Sequence, residues 1–287
     1  MSDPLRVRTM TEAEVEELVR WAAVEGWNPG LHDAGAFWRT DPEGFLALDT
    51  GPDLIGAGAV VRHNARFGFM GLFIVRPEFR GRGLGSRLWH LRRDHLLARL
   101  DPGGVLGMDA VEAMMPFYTR GGFHPVTGHR RYRLDAPPPG LLADPEVIDL
   151  AQVPRNDVLA FDHDCFPGPR EAFLRQWLAL PDSHALGLMF EGRLAAYGVI
   201  RRCGVGWKVG PLLAEHDALA GRLFAALVHR AAEGPFFVDV PENNPAALAL
   251  VESLKMPTVF RCVRMYHGPA PRLRDERIFG IATLELG

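Results

Sequence analysis

The period of the apolar positions changes several times along the first half of the chain, and each change marks an element. Over residues 11–24, Val15, Leu18, Val19 and Ala22 recur at helical spacing, and Thr11 stands where an N-cap belongs. Glu25-Gly26-Trp27-Asn28-Pro29-Gly30 breaks that period with two glycines and a proline. A short helix carrying Phe37 and Trp38 is expected after Asp33. Strand-like runs follow at 45–48, 54–62 and 67–75, separated by Asp49-Thr50-Gly51-Pro52-Asp53 and His63-Asn64-Ala65-Arg66. Connections this tight predict an antiparallel meander. Leu84, Leu88 and Leu91 predict a helix over 84–100. A strand at 105–110, a helix at 113–120 and a strand at 131–134 complete the series.

Asp135-Ala136-Pro137-Pro138-Pro139-Gly140 reads as a linker, because consecutive prolines can join neither a helix nor a central strand. Beyond it the order of elements repeats. A strand at 147–150 precedes helices at 158–161 and 170–180. Strands at 185–190, 194–201 and 206–213, a helix at 219–232, a strand at 236–240 and a helix at 245–254 follow. The expectation is an α/β chain of two similar units in tandem, 1–135 and 142–287, joined by 136–141.

Composition narrows the class. With 287 residues and 47% hydrophobic content, there is enough apolar mass for two packed cores. A formal net charge of −3 gives no general nucleic-acid or membrane signal. No apolar run approaches the roughly 18 residues of a spanning helix, and Met1-Ser2-Asp3-Pro4 does not open a secretory signal. Cys165, Cys203 and Cys262 are odd in number and far apart, outside metal-ligand spacing, which fits idle thiols in a reducing cytoplasm. His163, between Asp162 and Asp164, is the one local cluster of ligand types, and it is too small for a structural metal site. No metal is expected.

The chemistry concentrates at Val75-Arg76-Pro77-Glu78-Phe79-Arg80-Gly81-Arg82-Gly83-Leu84-Gly85-Ser86, where a strand enters a glycine-rich turn that opens a helix. Glycines let backbone approach a ligand closely, and the unsatisfied N–H groups of a helix start suit a pyrophosphate. Between Arg76 and Arg93 six arginines face a single glutamate, so this segment is locally basic. It lacks the Gly-Lys-Ser/Thr of a nucleotide-hydrolysing loop, and Gly81-Arg82-Gly83-Leu84-Gly85 lacks the Gly-x-Gly-x-x-Gly order of a dinucleotide fold.

Arg80-Gly81-Arg82-Gly83-Leu84-Gly85, with its Val75-Arg76-Pro77 lead-in, resembles the Arg/Gln-x-x-Gly-x-Gly/Ala signature of the GNAT superfamily of N-acetyltransferases. The resemblance implies tandem units, each a mixed, mostly antiparallel sheet flanked by helices, with acetyl-CoA as cosubstrate. It places Phe73, Ile74 and Val75 along the pantetheine arm, and Arg80, Gly81, Arg82, Gly83, Leu84, Gly85 and Ser86 around the pyrophosphate. Ala113 to Phe123 looks like the family's late helix ending in Tyr-x-x-x-Gly-Phe. Tyr118 then falls at the position that protonates the departing thiolate, although an aromatic packed at a helix end is the plainer alternative. The stretches 25–33 and 264–287 resemble a tandem subgroup with a degenerate C-terminal domain.

That second domain aligns Glu215-His216-Asp217-Ala218-Leu219-Ala220 with the loop and Val251 with Tyr118, so neither phosphate cradle nor acid survives there. Glu25, His32 and Asp33 occupy a loop that borders the acceptor in this superfamily. Glu25 and Asp33 are the candidate bases, and Trp27, Asn28 and His32 the candidate substrate contacts. Glu25, Asp33, His32 and Trp27 also have structural alternatives, as helix end, cap, surface and core residue respectively. Arg170 could clasp an acceptor carboxylate or simply open a solvated helix, and His129-Arg130-Arg131 reads as surface charge.

The expected activity is acetyl transfer from acetyl-CoA to a primary amine of a small molecule by direct attack, since no cysteine lies in either motif. Transfer to a protein lysine or N-terminus is the enzymic alternative, and an acyl-CoA sensor the non-enzymic one. No nucleic-acid or membrane partner is expected of this monomer or homodimer.

Overall fold

The computed structural model describes residues 5–51, 53–138, 141, 144–231 and 233–287. The first four residues, Pro52 of the first turn, Pro139 and Gly140 of the linker, Leu142 and Ala143 after it, and Ala232 at a helix end lie outside the described residues. The first half opens with β1 (Arg6–Thr9) and α1 (Glu12–Val24). Thr11 and Glu14 close a reciprocal capping box, and Val15, Leu18, Val19 and Ala22 are the buried face. After α2 (Asp33–Thr40) come β2 (Phe45–Asp49), β3 (Leu54–Arg62) and β4 (Phe67–Val75), antiparallel as their short connections require. α3 (Leu84–Ala98), β5 (Val105–Ala110), α4 (Met115–Arg120) and β6 (His124–Leu134) follow.

Two sequence expectations change here. The buried face of α3 is Leu88, Trp89, Arg92 and Leu96, while Leu91 is 40% exposed. β6 has eleven residues rather than four, because its charged positions find partners inside the sheet.

The second half contains β7 (Val147–Asp149), α5 (Arg155–Cys165), α6 (Glu171–Trp177), β8 (Ser183–Phe190), β9 (Arg193–Arg202) and β10 (Trp207–Ala214). It continues through α7 (Asp217–Ala231), β11 (Phe236–Pro241), α8 (Pro245–Ser253), β12 (Thr258–His267) and β13 (Ile278–Gly280).

Among the described residues, thirteen strands join one mixed, mostly antiparallel sheet, ordered β1-β2-β3-β4-β5-β12-β6-β11-β10-β9-β8-β7, with β13 paired to β10. The halves exchange strands at its centre. β12 from the second half lies between β5 and β6, and β6 from the first pairs with β11. Bidentate ion pairs stitch this seam: Arg264 to Asp109 at 2.9 and 2.8 Å, and Arg131 to Asp239 at 2.7 and 2.9 Å.

Each half also holds one short parallel pair that then parts. β4 and β5 pair only over Phe67–Phe69 and Val105–Gly107, and β10 and β11 only over Trp207–Val209 and Phe236–Val238. The second parting is filled: β13 pairs with β10, and the Ile281 N–H donates to the Asp239 oxygen of β11 at 3.0 Å. The first stays open and becomes the site.

Candidate functional site

β4 is bulged where it leaves β5. Its register against β3 breaks between Ala57 and Ala59, and Leu72 sits at φ 47°, in the left-handed region that a bulky residue adopts only under constraint. The bulge splits the packing of the strand. Met70 and Phe73 pack in the cluster that holds Trp89 and Tyr118, while Leu72 and Ile74 pack with α1 and Trp27.

The Arg92 guanidinium fastens the bulge by donating to the carbonyl oxygens of Ala59 (2.5 Å) and Gly71 (2.7 Å). It also lies over the Phe73 ring at 4.9 Å. Gly58 leaves the room it needs, since a Cβ there would stand 2.4 Å from the Arg92 Cζ. Arg92 was counted in the basic run between Arg76 and Arg93; it is 1% exposed and belongs to the wall between sheet and helix.

A cavity of about 600 Å³ occupies the parting. At its mouth the turn after β4 delivers α3. Gly81 and Gly83 both have φ +76°, and a Cβ on either would meet nothing within 4 Å. Glycine is therefore required by conformation, and the space beside the loop is free. Gly83 caps α3 without a side-chain acceptor, which leaves the N–H groups of Leu84, Gly85 and Ser86 without intrahelical partners. Arg80 braces the turn by donating to the Val75 oxygen at 2.8 Å and to Glu25 at 2.5 Å. Phe73, Ile74, Val75, Arg80, Gly81, Gly83, Gly85 and Ser86 all line the cavity; Arg82 and Leu84 do not. Arg82 lies over the Phe79 ring at 5.7 Å, and Leu84 packs with Leu88 and Ile55. A free helix start at one end of an open strand edge fits a diphosphate with an extended amide arm.

Tyr118 reaches the same cavity from α4 and is 8% exposed. Burial pushes its phenol up to about 12, against the opposing pull of Arg92. It is therefore held as the neutral phenol near neutral pH, a proton donor inside the cavity.

The acceptor candidates divide. Glu25 and Trp27 line the cavity, with Glu25 held by Arg80. Asp33 does not reach it. Its carboxylate accepts from the Gly30 N–H at 2.8 Å and pairs with Arg201 at 2.9 Å, with both side chains buried. Asp33 is thus corrected from candidate base to structural anchor between the halves. His32 meets Asp182 at 2.8 Å outside the cavity, and Asn28 exchanges hydrogen bonds with the Val205 backbone at 2.9 and 2.8 Å, so neither is a substrate contact here.

Residues expected on the surface are buried as well. Arg131 donates to Asp239 and to the Trp27 oxygen (2.6 Å) and lines the cavity, His129 meets Asp109 at 3.0 Å, and Arg170 is locked on Asp162 and the Gly287 oxygen, all at 2.8 Å. Asp162 is spent on Arg170 and Asp164 on Arg277, which removes the carboxylates flanking His163. Asp109, His129 and Cys262 place one ligand atom each within 4.8 Å of one another. Arg264 already neutralises that carboxylate and, with His129, holds it well below the usual range against the cost of burial. Sequence reasoning missed Glu285, which lines the cavity from the C-terminal tail and is 4% exposed. No motif marks it.

A parted sheet, a bare helix start at the mouth and a buried phenol meet in one cavity. Residues 12–123 match the acetyltransferase (GNAT) family and residues 158–280 an acetyltransferase (GNAT) domain. The chain belongs to the GNAT superfamily as two such domains in tandem, and it is an acyltransferase by kinship.

Holothin acyltransferase of Pseudoalteromonas sp. (strain SANK 73390) is 28% identical over 286 residues, covering 97% of this chain and 94% of its own. The uncharacterized N-acetyltransferase YitH of Bacillus subtilis (strain 168) is 24% identical over 176 residues, 61% of either chain. A candidate acetyltransferase of Pyrococcus horikoshii superposes with a TM-score of 0.84 at 20% identity, covering 99% of this chain and 96% of its own. A tandem GNAT protein from the clavulanic acid biosynthesis pathway gives 0.63 at 16% identity, covering 94% and 100%. The last two likenesses concern the fold. Among the described residues no helix is long and apolar enough to cross a membrane.

Proposed function

We propose that the protein transfers an acetyl group from acetyl-CoA to the primary amine of a small molecule by direct attack. The observation that carries this reading is the open parting of β4 and β5, with bare helix N–H groups at its mouth and Tyr118 within. The amine nitrogen bonds to the thioester carbonyl carbon while the C–S bond breaks. Sulfur leaves with the electron pair and takes the Tyr118 proton, and the nitrogen gives up a proton in turn. In this reading backbone N–H groups at the β4 bulge hold the carbonyl oxygen as it turns negative, and Arg92 fixes that bulge.

A small acceptor is favoured because the second half walls the cavity with Phe260, Cys262, Leu284 and Glu285, leaving little room for a folded protein's lysine. Similarity over nearly the whole chain to an acyltransferase named for one compound, holothin, points the same way. The second domain binds no carrier in this reading, because β13 occupies its parting. The proposed setting is the cytoplasm, with the protein a monomer or homodimer.

Calorimetry with CoA, paired with thiol release from acetyl-CoA across a panel of amines, tests this. Gly83→Glu is expected to abolish CoA binding, as its carboxylate would face the diphosphate and its Cβ would strain a φ of +76°. Tyr118→Phe should keep CoA affinity and lose about 10²-fold or more in turnover. Absence of CoA binding by the unaltered protein would end the proposal.

A further inference from the structure

Three carboxylates line the cavity, and two of them are already spent. Asp109 is held by Arg264 and His129, and Glu25 by Arg80. The third, Glu285, differs. Among the described residues no arginine, lysine or histidine nitrogen lies within ion-pairing distance of it. One carboxylate oxygen accepts from the Thr283 hydroxyl, which in turn accepts from the Glu285 N–H at 3.2 Å, so the side chain is oriented by its own turn. Burial weighs against the charged forms of Arg131, Arg201 and Lys208 and leaves the Lys208 pKa lowered, while the nearby Glu285 acts in the opposite sense on all three. Those three cations are committed elsewhere, to Asp239, to Asp33 and to the Asn28 oxygen. A carboxylate that is buried, oriented and in no direct ion pair at a cavity wall is free to accept hydrogen bonds from a guest ammonium.

Its position is fixed by the backbone. The tail crosses β4 so closely at Gly71 that a Cβ there would stand 1.9 Å from the Glu285 main-chain oxygen. Leu286, the next residue, packs with Leu72, Ile74 and Trp27, the group set apart by the bulge from the cluster holding Tyr118. Glu285 and Tyr118 thus enter the cavity from separately packed walls, and Trp27 and Phe260 add apolar surface to the same cavity.

We infer that Glu285 binds the acceptor as its ammonium ion and is the base that frees it for attack, and that the acceptor carries its amine on an apolar body. This rests on the acyl-transfer reading above. The ammonium gives one proton to the Glu285 carboxylate, which passes it to solvent. The neutral nitrogen then forms the C–N bond as the C–S bond breaks. Its second surplus proton restores the one Tyr118 gives to sulfur, so one proton is released per turnover. No oxidant or further reactant is needed.

The test uses full-length protein, acetyl-CoA and 2-phenylethylamine. Glu285→Gln is expected to lower kcat/KM for the amine at least 100-fold at pH 7 while CoA affinity by calorimetry stays within threefold. The variant's rate should climb about tenfold per pH unit between pH 7 and 9, as free amine replaces ammonium in solution, while the unaltered enzyme climbs less steeply. A Glu285→Gln rate within threefold of the unaltered enzyme, or an unchanged pH profile, would overturn the assignment. So would failure of the unaltered, CoA-binding protein to acetylate this amine, or loss of CoA affinity in the variant, which would mark a merely structural residue. Failure of the unaltered protein to bind CoA would instead remove the underlying reaction.

Discussion

Arg92 is the costliest side chain in the site and the one whose replacement is most informative. Its Nε and Nη1 have no hydrogen-bond partner, and burial lowers its pKa to about 10. Such a group survives only if what it holds is worth more. It holds two bulge carbonyls, each costing about 1–3 kcal/mol if left unpaired. Relief from burying a charge offsets part of that loss in Arg92→Met, so a net destabilisation of roughly 2 kcal/mol is expected in urea unfolding. Turnover should fall more than stability implies, because the N–H groups proposed to meet the oxyanion would lose their fixed direction. Arg92→Lys should recover part of the stability, since an ammonium can still donate to both carbonyls. Equal stability and turnover in Arg92→Met would show that the bulge holds itself. The helical spacing of Leu88, Arg92 and Leu96 already marks one face, so Arg92 could have been placed in the wall. Counting it with its arginine neighbours hid that.

The tail and β4 are coupled through one glycine, and this makes Gly71→Ala a separate probe of the two sides of the cavity. Its Cβ would need backbone, not a flexible side chain, to move, so a cost of about 1–3 kcal/mol is expected. Displacing the tail should weaken amine turnover while CoA affinity, which the proposed reading assigns to residues 81–86 at the far mouth, stays within about threefold. Parallel loss of both would mean that Gly71 shapes the whole parting. The elements most readable from sequence were those whose burial follows hydrophobicity: α1 with its capping box, the β2-β3-β4 meander, β9 and α7. β12 went unread and β6 was cut short because their buried positions include His129, Arg131 and Arg264, which look like surface until Asp109 and Asp239 arrive from other strands. The glycine loop was legible because backbone conformation demands glycine there. Glu285 was not, since its meaning comes from a crossing more than 200 residues away in sequence from Gly71.

Strand exchange decides how the molecule comes apart. β12 supplies the neighbour of both β5 and β6, and β6 supplies that of β11, so neither half possesses a complete sheet from its own residues. Removing either half would expose the edges of β5, β6 or β11 and orphan Asp109, Arg131, Asp239 and Arg264, all of which are buried and paired across the seam. An unpaired buried charge costs about 3–5 kcal/mol, comparable with a large share of a domain's stability of ~5–15 kcal/mol. Two independent unfolding steps are therefore not expected, although two homologous domains would ordinarily suggest them. Tryptophans report from both sides, with Trp27 and Trp89 in the first half and Trp177 and Trp207 in the second. Urea unfolding followed by tryptophan fluorescence and by far-ultraviolet circular dichroism should give one coincident transition, and residues 1–135 produced alone should lack it. Two resolved transitions, or a cooperatively folded fragment, would mean that the seam joins two self-sufficient domains. The cavity would then be a cleft between them, and its acceptor wall would be free to open.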